Sequence, residues 1–144
     1  MKSPSKDQWI SVLKVSTIWR CLNLRKLAIR KLESKLEPKT ISGLLSTHRD
    51  DLLTPTEKIF LGRKYYISRW IEAGYVAVVK QGNVTYVEMK VIGAVESCDL
   101  FRIILDFMKQ PQLGTSALER RVKAVFQAEM EAISAIENSY TSQS

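Results

Sequence analysis

The chain has 144 residues, and 22 Lys+Arg against 15 Asp+Glu leave a net charge of +7. Hydrophobic residues make up 45% and charged residues 26%, values of an ordinary globular domain that argue against wholesale disorder. The length suits one domain with a real core, and no apolar run reaches the roughly 18–20 residues of a membrane span.

The basic charge is concentrated at one end. Residues 1–49 hold 11 Lys+Arg against 3 Asp+Glu, residues 50–110 hold 8 of each, and residues 111–144 hold 3 against 4. Such a segment can attract nucleic acid, an anionic membrane surface or an acidic protein, or can simply be a solvated helix face. Residues 1–8 lack the apolar stretch of a signal peptide and read as a flexible N-terminus. Two cysteines, Cys21 and Cys98, are too few for a disulfide scaffold. Together these features lead us to expect a reduced, intracellular protein, with cytoplasm and nucleus undistinguished.

The first predicted helix spans 9–20. Trp9, Val12, Leu13 and Ser16 follow its 3.6-residue rhythm, and Asp7 stands where a cap is expected. A second helix over about 22–36 has Leu24, Leu27, Ala28, Leu32 and Leu36 on one face, with Lys26 and Arg30 pointing away. Pro38 ends it. Residues 38–54 are ambiguous, with one possible helical turn at Ile41–Leu45 and a polar loop at 46–51 that holds His48, the single histidine.

Thr54-Pro55-Thr56-Glu57 opens the next helix. Thr54 suits the cap, Pro55 the first turn, and Glu57 completes a capping box. Ser68 is a candidate cap for the helix after it, which carries Trp70, Ile71, Tyr75, Val78 and Val79 near one face. From Tyr75 to Val91 the residues give two answers. Their β-branched and aromatic content around Gly82-Asn83 suggests a hairpin, whereas Val84, Val87 and Val91 also share one helical face. Val95 to Lys109 reads as a helix with Cys98, Phe101, Ile104 or Leu105, and Met108 inward. After the break at Pro111–Gly114, Thr115 or Ser116 caps one long helix with the stripe Leu118, Val122, Val125, Phe126, Ile133 and Ile136. Residues 139–144 are a polar tail.

No set of residues announces a chemistry. His48 has no His or Cys at ligand spacing, and a Ser-His or Cys-His pair would need this same residue. Cys21 and Cys98 lie in apolar helical patterns and read as buried structural thiols. Leu61-Gly62-Arg63-Lys64 lacks the spacing of a phosphate loop. Arg63-Lys64 followed by Tyr65-Tyr66 mixes cations with aromatics, as single-stranded nucleic-acid sites do, although such tyrosines more often edge a core. The three tryptophans, Trp9, Trp19 and Trp70, occupy apolar helix positions, so the reading is core, with an interface anchor as the alternative. No catalytic residue, cofactor or metal ligand is assigned.

Three blocks of sequence resemble one family. Trp9-Ile10-Ser11-Val12-Leu13-Lys14-Val15-Ser16-Thr17-Ile18-Trp19, followed by Leu24-Arg25-Lys26-Leu27-Ala28-Ile29, resembles the stretch after the BTB domain in BTB-domain proteins of mushroom-forming fungi. Pro55-Thr56-Glu57-Lys58-Ile59-Phe60-Leu61-Gly62-Arg63-Lys64-Tyr65, with Trp70-Ile71 and Gly74-Tyr75, resembles the family's second block. A weaker third block runs from Val84-Thr85 to Ile92-Gly93, with Val87 where the family has an acidic residue. The likeness covers roughly residues 9–105, and 106–144 match less well. It implies helices on both sides of Gly82-Asn83, leaving a short hairpin near 75–91 as the minority reading. A BTB domain would precede Trp9, where eight residues stand, so the resemblance implies the helical extension alone, without adaptor activity.

The expectation is therefore an all-α fold of six or seven helices in packed antiparallel pairs. Its parts are a helical domain over 9–110, a long C-terminal helix over 111–138 packed on it, and a flexible tail over 139–144. The expected function is a non-catalytic protein–protein interaction module that offers Trp9, Trp19, Lys26 and Arg30 to a protein partner or to a second copy. Its rival is nucleic-acid binding by the basic first third, through Lys14, Arg20, Arg25, Lys26, Arg30, Lys31 and Lys35 on one face.

Overall fold

The computed structural model describes residues 5–34 and 53–140. His48, Lys35 and residues 38–52 of the ambiguous segment 38–54 lie outside the described residues. Among those described the protein is all-helical, with eight helices and no strand: α1 Lys6–Ile18, α2 Leu22–Ser34, α3 Pro55–Tyr65, α4 Ser68–Gln81, α5 Tyr86–Ile92, α6 Ala94–Lys109, α7 Thr115–Val125 and α8 Gln127–Ser139. None is long and apolar enough to cross a membrane. The chain divides into two compact units, one of residues 1–53 with 140–144 and one of residues 54–139.

In the first unit α1 packs against α2. Helix α1 starts earlier than Asp7 suggests. The Gln8 N–H donates to Ser5 Oγ at 3.3 Å and the Ser5 N–H donates to Gln8 Oε1 at 2.8 Å, a reciprocal capping box. Residues 6–8, expected in a flexible terminus, are therefore helical. Leu13 of α1 and Ala28, Ile29 and Leu32 of α2 are buried. Arg20, in the left-handed region at φ 55°, helps turn the chain between the two helices. Tyr140, expected in the polar tail, is buried, with the guanidinium groups of Arg20 and Arg25 4.7 and 4.6 Å from its ring centre.

The second unit is built on α3 and α4. Thr54 caps α3 as its sequence predicts: Thr54 Oγ1 accepts from the Glu57 N–H at 3.1 Å and the Thr54 N–H donates to Glu57 Oε1 at 2.9 Å. Two glycines let the helices approach closely. A Cβ on Gly62 would lie 2.7 Å from Ile71 Cγ1, and one on Gly74 would lie 2.5 Å from Ile59 Cγ1 and 2.7 Å from the Pro55 carbonyl. Helix α4 then packs against α6, α7 and α8 as well. Its buried residues, Trp70, Ile71, Gly74, Tyr75, Val76, Val78 and Val79, cover most of its circumference, as befits a helix enclosed by neighbours. The core continues through Val84, Ile92, Leu100, Ile103, Ile104, Leu118, Val122 and Phe126, with the Phe126 ring stacked on Tyr75 at 4.0 Å between centroids.

Several expectations need correcting. The hairpin near 75–91 is not formed; this stretch is the second half of α4, a turn and α5. Gly82, at φ 79°, ends α4 in the left-handed region, and Thr85 opens α5 with a capping box to Glu88. Adjacent Val78 and Val79 both find buried places on a helix, which strand alternation would deny one of them. Ser68 is not a cap. Ile67 holds that position, and both the Ser68 N–H and the Ser68 hydroxyl donate to Glu137 Oε1, at 3.2 and 2.8 Å. Thr115 and Ser116 are likewise not caps, because Gly114 is. The single long C-terminal helix is two, broken at Phe126 where that side chain turns inward onto Tyr75. The count is eight helices instead of six or seven.

The inward face of α6 is also displaced from the one expected. Ser97, Leu100, Ile103 and Ile104 are buried, while Cys98, Leu105 and Met108 are exposed. Ser97 Oγ is buried with no hydrogen-bond partner among the described residues. Cys21 is exposed too, so neither thiol is structural. On the exposed α7–α8 side, Val125 and Ile136 leave the predicted stripe for solvent.

Gly62→Ala and Gly74→Ala should each destabilise the second unit by about 1–3 kcal/mol through overpacking. Gly114→Ala, which meets open space, should stay within about 0.5 kcal/mol. Urea denaturation followed by circular dichroism measures all three. Both thiols should react with an Ellman-type reagent in native buffer; reaction only after denaturation would contradict their exposure.

Candidate interaction surface

The second half of α1 presents an apolar face to solvent. Leu13, Ser16 and Thr17 point inward. The residues on the other side of the same turns are Val15, Ile18 and Trp19, exposed by 50%, 67% and 75%. Their i, i+3, i+4 spacing places them on one stripe. Leu24, just beyond the turn, is 40% exposed. Isolated exposed apolar residues are normal, but a tryptophan grouped with an isoleucine and a valine is the kind of patch that marks an interface.

Of the residues the sequence nominated, Trp19, Lys26 and Arg30 are exposed and Trp9 is half-buried. Trp19 therefore leaves the core reading, and Trp70 alone of the three tryptophans is deeply buried. Lys26 and Arg30 stand one turn apart on the solvent side of α2, about 6 Å along its axis. The sequence analysis missed Val15 and Ile18. The signal was present: α1 carries two apolar stripes, and packing against α2 uses one.

The array required for nucleic-acid binding is not continuous. Arg25 is buried, and its Nη1 donates to Thr17 Oγ1 at 2.8 Å while the group lies over Tyr140. Lys14, Arg20, Lys26, Arg30 and Lys31 remain exposed.

The Arg63-Lys64-Tyr65-Tyr66 run does not form a base-stacking platform. Tyr65 is buried, and Arg63 sits inside a network. Its Nε donates to Glu129 Oε2 at 2.6 Å, its Nη2 to Tyr75 Oη at 2.7 Å, and its Nη1 to the Ile92 carbonyl at 2.7 Å. Tyr75 Oη donates to the other Glu129 oxygen at 2.5 Å. Burial works against the Arg63 charge, but the bond to Glu129 and the pull of Tyr75 and Glu129 raise its pKa. Burial, reinforced by Glu129, pushes the Tyr75 phenol far above its ordinary value and keeps it neutral. The network ties α3, α4, α5 and α8 together.

Among the described residues no three His, Cys, Asp or Glu side chains gather as metal ligands. A shallow groove of about 360 Å³ along α4 is lined by Lys58, Glu72, Lys80 and Glu119 with Val76 and two alanines. Burial lowers the Lys58 pKa there. No family model, curated protein or solved structure matches the chain.

Glu129→Gln should cost about 2 kcal/mol, since Arg63 loses the charge that supports it in a half-buried place. Lys64→Ala, at an exposed position, should change stability by less than about 0.5 kcal/mol. Paired thermal melts distinguish the two.

Proposed function

We propose that the chain is a non-catalytic protein–protein interaction module, of the kind that forms the helical part after a BTB domain in proteins of mushroom-forming fungi. The observation that carries this reading is the Val15, Ile18 and Trp19 patch, with Trp19 exposed by 75% on a well-packed helix pair. Trp19 is the anchor: a large amphipathic ring inserted into a partner pocket supplies contact area at little entropic cost. Lys26 and Arg30 supply a charged rim, and half-buried Trp9 stands in α1 ten residues before Trp19. The resemblance of residues 9–105 to the post-BTB stretch supports the same reading. The partner is another protein domain or a second copy of the chain. Nucleic-acid binding is the weaker reading, because Arg25 faces inward.

The test is a calorimetric titration of the full chain with an isolated BTB domain from a mushroom-forming fungus, alongside light scattering of the chain alone. A complex or a self-associated species should form, and Trp19→Ala should weaken it by about tenfold or more without altering the helical spectrum. A monomer that binds no BTB domain, or binding indifferent to Trp19→Ala, would sink the proposal.

A further inference from the structure

We infer that the partner face is acidic: it carries one apolar anchor for the Trp19 patch and carboxylates one helical turn apart that face Lys26 and Arg30. This inference rests on the docking reading above and adds the chemistry of the occupant. Its basis is the charge balance of the α1–α2 pair, where seven cations stand against two carboxylates over residues 5–34.

In the second unit four cations have carboxylate partners within the chain. Arg63 pairs with Glu129 at 2.6 Å, Arg121 with Asp106 at 2.8 Å, Lys123 with Glu72 at 3.6 Å and Arg102 with Asp99 at 3.9 Å. Lys14, Lys26 and Arg30 are exposed and make no ion pair among the described residues. Between Ser5 and Ser34 the only carboxylates are Asp7 and Glu33. Asp7 is at the far end of α1 from Trp19, and Glu33 already has a partner.

Lys26 and Arg30 also repel each other. Like charges at i, i+4 destabilise a helix mildly, and no acidic residue of α2 lies between them to relieve this. A carboxylate placed between the two side chains removes the repulsion and gains a charge-assisted hydrogen bond from the arginine fork. Trp19 and Lys26 are seven residues apart around a tight turn, so the apolar anchor and the paired carboxylates are separate points on the partner. Two separate points favour a shaped protein element over a fluid membrane surface. With Arg25 turned inward, the row of cations that would track a nucleic-acid backbone is interrupted.

The experiment uses the full chain and three versions of one amphipathic helical peptide. All share a Leu/Phe face, and the opposite face is Glu, Gln or Lys. Fluorescence anisotropy reads binding at low and high salt, with anionic phosphatidylserine vesicles and a generic DNA duplex as further arms. The Glu peptide should bind roughly tenfold tighter than the Gln peptide, and added salt should erase that advantage. The double variant Lys26→Glu/Arg30→Glu, both at exposed positions, should reverse the preference towards the Lys peptide. Circular dichroism confirms that this variant folds. Equal binding of the Glu and Gln peptides, weakened in both cases by Trp19→Ala, would overturn the acidic partner and leave the docking reading standing. Absence of binding by any peptide overturns the acidic partner, while the docking reading stands or falls on the BTB titration and light scattering. Tighter binding to the vesicles or the DNA than to the Glu peptide overturns the acidic protein in favour of that surface.

Discussion

The close crossing of α3 and α4 governs the second unit. Gly62 and Gly74 remove the two side chains that would hold the helices apart, and Ile71 and Ile59 fill the space left. Close approach brings the whole length of α4 under cover. It becomes the central element against which α6, α7 and α8 pack, and its Tyr75 ring meets Phe126. The run Tyr75–Val79 is rich in strand-favouring residues, yet it is helical because it lies where several helices converge. Burial on many sides rewards bulky apolar residues whatever their intrinsic preference.

The same centre explains the polar network. Once Tyr75 is enclosed, its hydroxyl needs partners, and Arg63 and Glu129 provide them. Each of the three satisfies the other two, and the arginine also reaches the end of α5. A cation that reads in sequence as part of a basic-aromatic surface is thus a fastening within the core's edge. The Arg63, Tyr75 and Glu129 side chains are in this way turned on one another.

The legible parts of the fold were those written in local chemistry. The Thr54–Glu57 capping box, the proline beside it and the apolar rhythm of α2 all specify structure within a few residues. What the sequence hid depends on neighbours distant in the chain. Ser68 looks like a cap, but Glu137 takes both its donors. The break at Phe126 has no proline or glycine to announce it. On α6, apolar residues are numerous on several sides, so periodicity alone put Cys98 and Met108 inside and left Ser97 out. The surface patch was hidden for a related reason. Trp19 fits an apolar helical pattern as well as any core residue does, and only the choice of which stripe of α1 meets α2 decides that it faces water. The nominated Lys26 and Arg30 were easier, because long cations opposite a leucine-rich face leave little choice.

The Arg63–Glu129 and Ser68–Glu137 links have a further consequence, for the order in which the chain acquires its structure. They join residues 66 and 69 positions apart, and the later partner in each case lies on the last helix. During synthesis α3 and α4 emerge with Arg63 and Tyr75 still lacking their carboxylate. The second unit can only be completed when α8 leaves the ribosome, so a chain stopped within α7 would present a half-built core to chaperones and proteases.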